Sequence, residues 1–403
     1  AKATKSDKHS SQINSNNSHD IVANKIKLLD HYMNSCWISH LLVCLFIDIH
    51  PEIENLLFNK KIVETEKDLC DISFTEKFRE LLNQIYQNMY FNTERHTTND
   101  LRKHLSTCSG MGRDFIPTTG IGDPTEFLMK INILFDFPMF INRKDITTYY
   151  NNTIYDADKC TREFIGKSSL LAFNADDFYT DDLNSYLNNI VGTTNIFDDL
   201  SMRDFNIDVT NQNEVKKFKK IVKKCGEKML KKSLVLNKEE TGVFKSVLSN
   251  KSHFGIKNDD CGDNRYLFKQ KQTLYTISES SNIPLLITIN RRSSLGLQTL
   301  NTKKIIPTEI LNLKNDSGDI VSYKLKSLVV PNDSSSSHFT CYFNKDNNWW
   351  FYDDVEYKYS GTIEKINSYN DLVTSKKQVH FINTGTKQIK KIHVAVILIY
   401  YPL

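Results

Sequence analysis

A histidine and an aspartate flank a predicted β-hairpin late in the chain. Two runs rich in aromatic and β-branched residues, on either side of a polar tetrad at 344–347, are typical of antiparallel strands joined by a turn. Folding the chain midway between Lys345 and Asp346 sets His338 directly opposite Asp353. Opposed side chains have Cβ atoms about 4.5–5.5 Å apart, so the carboxylate can orient the imidazole as in a catalytic triad. The alternative is a surface hairpin whose His and Asp merely end two strands.

A cysteine at a predicted helix start is the candidate nucleophile for this pair. Positions 37, 38, 41, 42, 45 and 46 are apolar and fit a buried helix, and Asn34 and Ser35 before it are common N-cap types. Cys36 is therefore predicted at the helix N-terminus, where the dipole and the free N–H groups favour a thiolate and can receive an oxyanion. The alternative is a buried small hydrophobe, which is how we interpret Cys44.

The composition is that of a globular protein with a sizeable core. Of the 403 residues, 39% are hydrophobic and 25% are charged. The net charge of +4 gives no case for nucleic-acid binding, and the lysines of a predicted helix at 215–232 are interpreted as a solvated face. No run approaches the ~18 apolar residues of a membrane helix.

Cysteine usage and the first residues indicate an intracellular, reducing compartment. The eight cysteines contain no Cys-x-x-Cys pair, which argues against a zinc site and against a fold stapled by disulfides. Residues 1–22 are polar and predicted to be a disordered tail rather than a secretory signal. We expect the cytoplasm or nucleus, or a host cell if the protein is viral. Because the chain begins with Ala1, we also expect a fragment or processed piece.

Helices precede strands along the chain, which predicts an α+β fold. Asp123 caps a helix, Pro124 takes its first position, Glu126 completes the capping box and Phe127 faces the core. Capping alone accounts for both acidic residues. Strands are predicted at 283–289, 305–307, 310–313, 323–330 and 392–401, the last as a central strand.

Several segments, in order, resemble the sequence boxes of the ubiquitin-specific proteases, papain-like cysteine peptidases that cleave after the C-terminal Gly-Gly of ubiquitin. The Cys box is matched by Asn34, Cys36, Leu42, Leu45 and Phe46. The second box, Gln-Gln-Asp-x-x-Glu-Phe-Leu, resembles residues 122–128. The later boxes are similar to residues 283–291, 323–330, 337–339, 349–354 and 395–400.

The resemblance implies a papain-like cysteine protease fold with a helical thumb, an extended fingers insertion and an antiparallel β palm. The implied divisions after the tail 1–22 are a thumb at 23–175, a fingers-like region at 176–280 and a palm at 281–403. Cys36 would lie on the thumb and His338 on the palm, with the substrate cleft between them.

The resemblance also implies the chemistry of a deubiquitinating thiol isopeptidase, with no metal and no organic cofactor. The expected partners are conjugates of ubiquitin or a ubiquitin-like protein, with no nucleic acid and no membrane, and the expected state is a monomer. The residues it assigns are Cys36, His338 and Asp353 for catalysis, Asn34, His31 and Asp354 for oxyanion binding or support, and Asp123, Glu126, Phe127 and Ser337 for substrate binding.

This sequence departs from the family pattern at positions that matter for function. His31 stands where the family has an oxyanion-binding Asn, so we expect the Cys36 N–H to act with Asn34 or His31. Ser337 replaces a Gly, and Cys225 and Cys261 are too isolated for a zinc site in the fingers. Three alternatives stay open: the same chemistry on a modifier such as SUMO, a catalytically weak ubiquitin-binding module, and a transglutaminase-like acyl transferase.

Overall fold

The computed structural model describes most of the helical and sheet-forming parts of the chain. The described residues are 28–31, 34–62, 70–91, 97–108, 122–150, 159–175, 178, 180–188, 190–195, 213, 216, 256–257, 265–266, 268–278, 282–291, 301, 303–331, 338–354, 362–374 and 391–403. The tail 1–22, nearly all of the Lys-rich segment 215–232, and Cys225, Cys261 and Ser337 lie outside them.

Helices are concentrated in the first third of the chain. Asp123 accepts a hydrogen bond from the backbone N–H of Thr125 at 2.9 Å and Pro124 opens the helix, as the sequence predicts. The helices are α1 (Cys36–Phe46), α2 (Pro51–Glu54), α3 (Ile72–Phe91), α4 (Asn99–Leu105), α5 (Pro124–Leu134), α6 (Leu183–Asn188) and α7 (Tyr369–Thr374), with a π-helical turn at Asn55–Asn59 and a 3-10 helix at Lys391–Val394.

Strands follow the helices, and this mixture confirms the α+β class. The strands are β1 (Ile141–Tyr150), β2 (Lys159–Ser168), β3 (Leu171–Asn174), β4 (Ile190–Asn195), β5 (Ile256–Lys257), β6 (Arg265–Tyr266), β7 (Phe268–Ile277), β8 (Leu285–Asn290), β9 (Ile310–Asn315), β10 (Ile320–Pro331), β11 (Phe339–Lys345), β12 (Asn348–Asp353), β13 (Thr362–Ile366) and β14 (Ile397–Pro402).

One large sheet joins nearly all of these strands. Among the described residues it has 12 strands, with a path β13-β12-β11-β10-β9-β7-β1-β2; β14 pairs with β10 and β8, β3 with β8, and β4 with β7. Most pairs are antiparallel, and β3–β8 and β7–β9 are parallel. Strand β7 pairs with β1 on one side and with β4 on the other, and β1 pairs in turn with β2. Strands β1 and β2 of the predicted thumb and strands β4 and β7 of the predicted fingers therefore belong to one sheet.

The last predicted strand is shorter than expected but holds its predicted central place. Residues 391–394 form the 3-10 helix, so only Ile397–Pro402 are extended. This β14 strand lies between β8 and β10, where its backbone hydrogen-bonds on both sides.

The hairpin of β11 and β12 turns one residue later than predicted. Asp346 and Asn347 form the turn, with φ of 52° and 60°, the left-handed values that a two-residue type I′ turn requires. The later turn moves the pairing register by two residues, so His338 and Asp353 are diagonal rather than directly opposed. A shift of two keeps both side chains on the same face of the hairpin, within reach of each other.

Helix α1 lies in the centre of the first core layer. All of its residues are buried, and it packs on β10 and β11. The Ser327 hydroxyl on β10 donates to the carbonyl oxygen of Cys44 at 3.0 Å, which satisfies a polar group inside this interface. A second core layer, which includes Tyr186 of α6 and Leu372 of α7, covers other sheet residues. The start of α1 is therefore held in a fixed place against the hairpin.

A disulfide joins Cys70, just before α3, to Cys108, just after α4. The expectation of a fold without disulfide staples is wrong at this pair. The two cysteines are 38 residues apart, a spacing that carries no local sequence signature. The bond ties together two helices of the layer that packs on α1.

No helix in the described part of the chain is both long enough and apolar enough to span a lipid bilayer.

Candidate active site

Three side chains from α1 and the hairpin meet at one point. Cys36 is the first residue of α1, His338 directly precedes β11, and Asp353 is the last residue of β12. The Nε2 atom of His338 lies 2.6 Å from Oδ1 of Asp353, and the same ring hydrogen-bonds the Cys36 side chain. Because Nε2 is engaged by the carboxylate, Nδ1 is the nitrogen left for the sulfur. The structure thus brings together the three residues predicted for catalysis.

His338 is set up to carry a positive charge beside the thiol. Burial acts against its protonated form, but hydrogen bonds with Asp353 and Cys36 and their charges outweigh burial and raise the pKa of His338 to about 10. The imidazole is therefore protonated at neutral pH. A cation next to a cysteine sulfur favours the thiolate, the nucleophilic form.

A second histidine, which the sequence analysis did not assign to the site, connects the nucleophile helix to the hairpin. The Nδ1–H of His40 donates to the carbonyl oxygen of Cys36 at 2.7 Å, and its Nε2 accepts from the backbone N–H of Asp354 at 3.3 Å. Its ring centroid lies 5.9 Å from that of His338. Burial lowers the pKa of His40 more than the nearby Asp354 raises it, so the ring is neutral.

Asp354 is a buried carboxylate facing three imidazoles. Its side chain is 0% exposed. Oδ2 lies 3.2 Å from Nδ1 of His31, while Oδ1 lies 3.9 Å from Nε2 of His40 and 4.0 Å from Nε2 of His338. Oδ1 has no hydrogen-bond partner among the residues that the structure describes. The predicted support residues His31 and Asp354 therefore contact each other directly.

The two predicted oxyanion donors have different environments. Asn34 is exposed and has a φ of 60°, which places it in the left-handed region just before α1. His31 donates from Nδ1 to the Asp354 carboxylate, so its Nε2 is an acceptor unless the ring is protonated. A neutral His31 consequently cannot donate to an oxyanion through Nε2.

The other end of α1 is fixed by ion pairs. Asp48 accepts hydrogen bonds from Lys326 at 3.0 Å and from the nearly buried Lys345 at 2.9 Å. Burial acts against ionisation of Asp48, but the two lysines outweigh it and lower its pKa. Tyr401 of β14 donates its hydroxyl to the Asp48 carbonyl oxygen at 3.2 Å. Both ends of the nucleophile helix are thus attached to the sheet that carries His338.

The second sequence box packs beside the nucleophile. A Cβ atom on Gly122 would lie 2.7 Å from Cε2 of Trp37, the residue after Cys36. Phe127 is fully buried, with its ring centroid 5.7 Å from that of Trp37. Phe127, which was expected to bind substrate, packs against Trp37 and is closed off from solvent in this structure. Asp123 caps α5 at the edge of this contact.

The residues missed by sequence reasoning share one property: their partners are distant in sequence. The sequence could have indicated that His40 is near the nucleophile, because it lies one helical turn after Cys36 on the same face of the helix. Its contact with Asp354, 314 residues away, had no such indication. Asp48 likewise reaches Lys326 and Lys345 across the chain.

Comparisons with known proteins place the chain near solved structures at low identity. No family model and no curated protein matches the sequence. The SAGA Ubp8/Sgf11/Sus1/Sgf73 DUB module bound to ubiquitin aldehyde is 14% identical, covers 94% of this chain and 69% of that chain, and has a TM-score of 0.49. A yeast SAGA DUB module with an Sgf73 mutant is 13% identical, with coverages of 93% and 68% and a TM-score of 0.45. Both of these structures are multi-subunit assemblies.

Proposed function

We propose that this chain is a deubiquitinating thiol isopeptidase that cleaves after the C-terminal Gly-Gly of ubiquitin. The observation that carries the proposal is the position of His338, which is bonded to Asp353 at 2.6 Å and hydrogen-bonds Cys36 through the same ring. A thiol, an imidazole and a carboxylate in this order are the parts that nucleophilic acyl transfer needs.

The geometry supports a two-step reaction. The Cys36 thiolate attacks the carbonyl carbon of the scissile bond, and the tetrahedral intermediate expels the amine, which takes a proton from His338. Water then gives a proton to His338 and attacks the thioester, which releases the carboxylate product and the thiolate. Asp353 keeps the imidazole in the orientation and tautomer that both transfers require.

The oxyanion site of this proposal lies at the start of α1. The first N–H groups of a helix have no intrahelical acceptor, so the N–H of Cys36 can donate to the developing charge. Asn34 supplies the second donor, since neutral His31 presents a lone pair from Nε2. His31 takes this role only in its protonated form.

Ubiquitin as the substrate rests on the resemblance of the sequence boxes. The start of α5, with Asp123 and Glu126, follows Gly122, which lies against Trp37 beside Cys36. Carboxylates here can pair with an arginine of the extended ubiquitin tail as it approaches the sulfur. Ser337 would line the same channel next to His338, although it lies outside the described residues.

The test is intact-mass analysis after mixing the full chain with ubiquitin bearing a C-terminal electrophile. We expect one covalent adduct, absent in Cys36→Ala and retained in Cys44→Ala, which removes the buried thiol of the same helix. A SUMO probe runs in parallel. An adduct with SUMO alone would mean that the substrate is a SUMO-like modifier and not ubiquitin. An adduct that still forms in Cys36→Ala would contradict the assignment of Cys36 as the nucleophile.

A second candidate, a catalytically weak ubiquitin-binding module, is favoured by one observation. Cys36 is only 1% exposed, so a substrate carbonyl has little access to its sulfur in this conformation. Ubiquitin binding measured by calorimetry, together with no adduct on the probe, would support this candidate over the peptidase. Incorporation of an added primary amine into the product would instead indicate an acyl transferase.

A further inference from the structure

Beside the candidate triad, three side chains converge in a way typical of metal ligands. One donor atom from each of His40, Asp353 and Asp354 lies within 4.8 Å of the others. Two of the three residues are buried, so this cluster differs from the exposed acidic groups that are common on protein surfaces. Tetrahedral zinc with bonds of about 2.0–2.1 Å needs donor atoms about 3.4 Å apart, so the three side chains would have to close in by up to about 1.4 Å.

The tautomer of His40 is that of a metal ligand. Metal-binding histidines almost always donate their other ring N–H to a carbonyl or carboxylate, which fixes the ring and directs the free lone pair. His40 does this, because its Nδ1–H donates to the Cys36 carbonyl oxygen at 2.7 Å. The Nε2 lone pair faces Asp354 and accepts from its backbone N–H at 3.3 Å, a hydrogen bond that a bound ion would replace.

The carboxylate of Asp354 supplies a second, independent indication. Its Oδ1 atom is buried and has no hydrogen-bond partner in the described part of the chain. It lies 3.9 Å from His40 Nε2 and 4.0 Å from His338 Nε2. A buried carboxylate oxygen without a partner is costly, and a bound cation removes that cost.

We propose that His40, Asp353 and Asp354 form a binding site for a divalent transition-metal ion, Zn²⁺ foremost. One imidazole nitrogen and two carboxylate oxygens suit this borderline ion, and a water or a fourth side chain completes the coordination. The ion enters from the side of Asp353, whose side chain is 17% exposed. None of the three ligands is a cysteine.

Metal binding here switches off the candidate triad. The ion takes up the Asp353 carboxylate that otherwise accepts from His338 at 2.6 Å, so the imidazole loses its orienting partner. Inhibition is therefore reversible by a chelator. This consequence rests on the proposed peptidase function, whereas the binding itself rests only on the geometry of the three ligands.

The first test measures the metal without any substrate. Equilibrium dialysis of the full chain with ZnCl₂ is expected to give one bound ion, both in the wild type and in Cys36→Ala. Co²⁺ in place of zinc is expected to give ligand-field absorption bands without the near-ultraviolet charge-transfer band of a thiolate ligand. No bound zinc in the wild type, or a thiolate band that disappears in Cys36→Ala, would overturn the site.

Matched variants then assign the ligands. Losing a group that only orients a metal ligand already costs 10–100-fold in metal affinity, so replacing a ligand itself, in Asp354→Asn or in His40→Gln, is expected to cost about tenfold or more. His104→Gln is the control, because that ring bonds the Phe74 carbonyl oxygen away from the site. Wild-type affinity in both ligand variants would overturn the assignment. Melting curves show whether each ligand variant is folded. If neither variant folds, the cobalt spectrum of the wild type decides whether the site exists.

The inhibitory consequence has its own readout. Adduct formation with the ubiquitin probe is expected to fall when zinc is added and to return with EDTA. Zinc binding without any effect on the adduct would overturn the inhibition while leaving the site in place. Failure of the probe in the absence of zinc would count against the peptidase and leave the dialysis result unaffected.

Discussion

The Nδ1 atom of His40 lies 2.7 Å from the carbonyl oxygen of Cys36, one helical turn earlier, while Nε2 of the same ring faces the backbone N–H of Asp354. This one buried side chain connects the helix of the nucleophile to the strand end that carries Asp353. The relative position of the thiol and the imidazole of His338 therefore depends on a residue that performs no proton transfer itself.

Replacing His40 tests this positioning role. In His40→Leu the buried N–H of Asp354 loses its acceptor, which we expect to cost about 1–3 kcal/mol of stability. A misplacement of about 1 Å between Cys36 and His338 would lower kcat about 10²-fold with little change in KM. His40→Gln, which keeps polar atoms near both partners, is expected to recover much of kcat. Equal losses in both variants would contradict the role.

The raised pKa of His338 predicts how stability varies with pH. Because this pKa rises from an ordinary 6.5 to about 10 in the folded state, the folded protein holds the proton more tightly. The resulting stability is fully present below pH 6.5 and is lost as pH rises through about 10. Melting temperatures across this range measure the loss. In Asp353→Asn the folded-state pKa of His338 is expected to move back towards 6.5, so the decline should be smaller and should end at a lower pH than in the wild type. An unchanged profile would show that the carboxylate does not set this pKa.

Gly122 is predicted to be required by its contact with Trp37. A methyl group added there would lie 2.7–2.8 Å from the indole ring, in a fully buried place. We expect Gly122→Ala to cost about 1–3 kcal/mol by overpacking and to lower activity by moving the residue next to Cys36. In a Trp37→Phe background the same substitution should cost less, which chemical denaturation measures. Strictly additive costs would mean that the two residues do not interact.

Asp48 is predicted to stabilise the far end of α1. Asp48→Asn leaves the nearly buried Lys345 without its carboxylate partner, which we expect to cost about 2 kcal/mol. The lowered pKa of Asp48 means that its contribution is present above its ordinary pKa of 3.8 and is lost as pH falls further. Urea unfolding at pH 7 and at pH 3 measures both effects. A wild type and a variant of equal stability at pH 7 would refute this role.

Asp123→Asn separates capping from substrate binding at the start of α5. Asn is as good an N-cap as Asp, so the bond to Thr125 is kept and the melting temperature should not change. If the carboxylate pairs with the ubiquitin tail, KM is expected to rise about tenfold with kcat unchanged. Asp71→Asn, at the N-terminus of α3, is a control for the loss of one capping charge. An unchanged KM would leave Asp123 with its capping role alone.

Local signals were sufficient to place the three reactive residues. The start of α1 at Cys36 follows from residue types that begin a helix and from an apolar stripe, and the strands on either side of the turn follow from aromatic alternation. The turn itself was misplaced by one residue, since a run of Asn, Lys and Asp offers several places for left-handed backbone. His338 and Asp353 are still close to each other, because a shift of two residues in the strand pairing keeps both side chains on the same face of the hairpin.

Other features could not be read from the sequence, because they depend on tertiary contacts. An imidazole inside an apolar helix is indistinguishable in sequence from a satisfied core residue, and only the fold brings Asp354 to His40. The Cys70–Cys108 bond and the close approach of Gly122 to Trp37 arise in the same way. In each case the two partners lie on separate elements, so the hydrophobic periodicity within one helix or strand does not predict their contact.

The placement of β14 between β8 and β10 has a consequence for how the chain is made. Tyr401 on this strand bonds Asp48, 353 residues earlier, at the end of the nucleophile helix. A ribosome adding 5–20 residues per second exposes Cys36 about 15–60 s before it delivers His338, and the strand that completes the sheet comes later still. The nascent chain therefore carries the Cys36 thiol before its candidate base His338 has been made, and the candidate triad can assemble only after residues 338–354 have been synthesised.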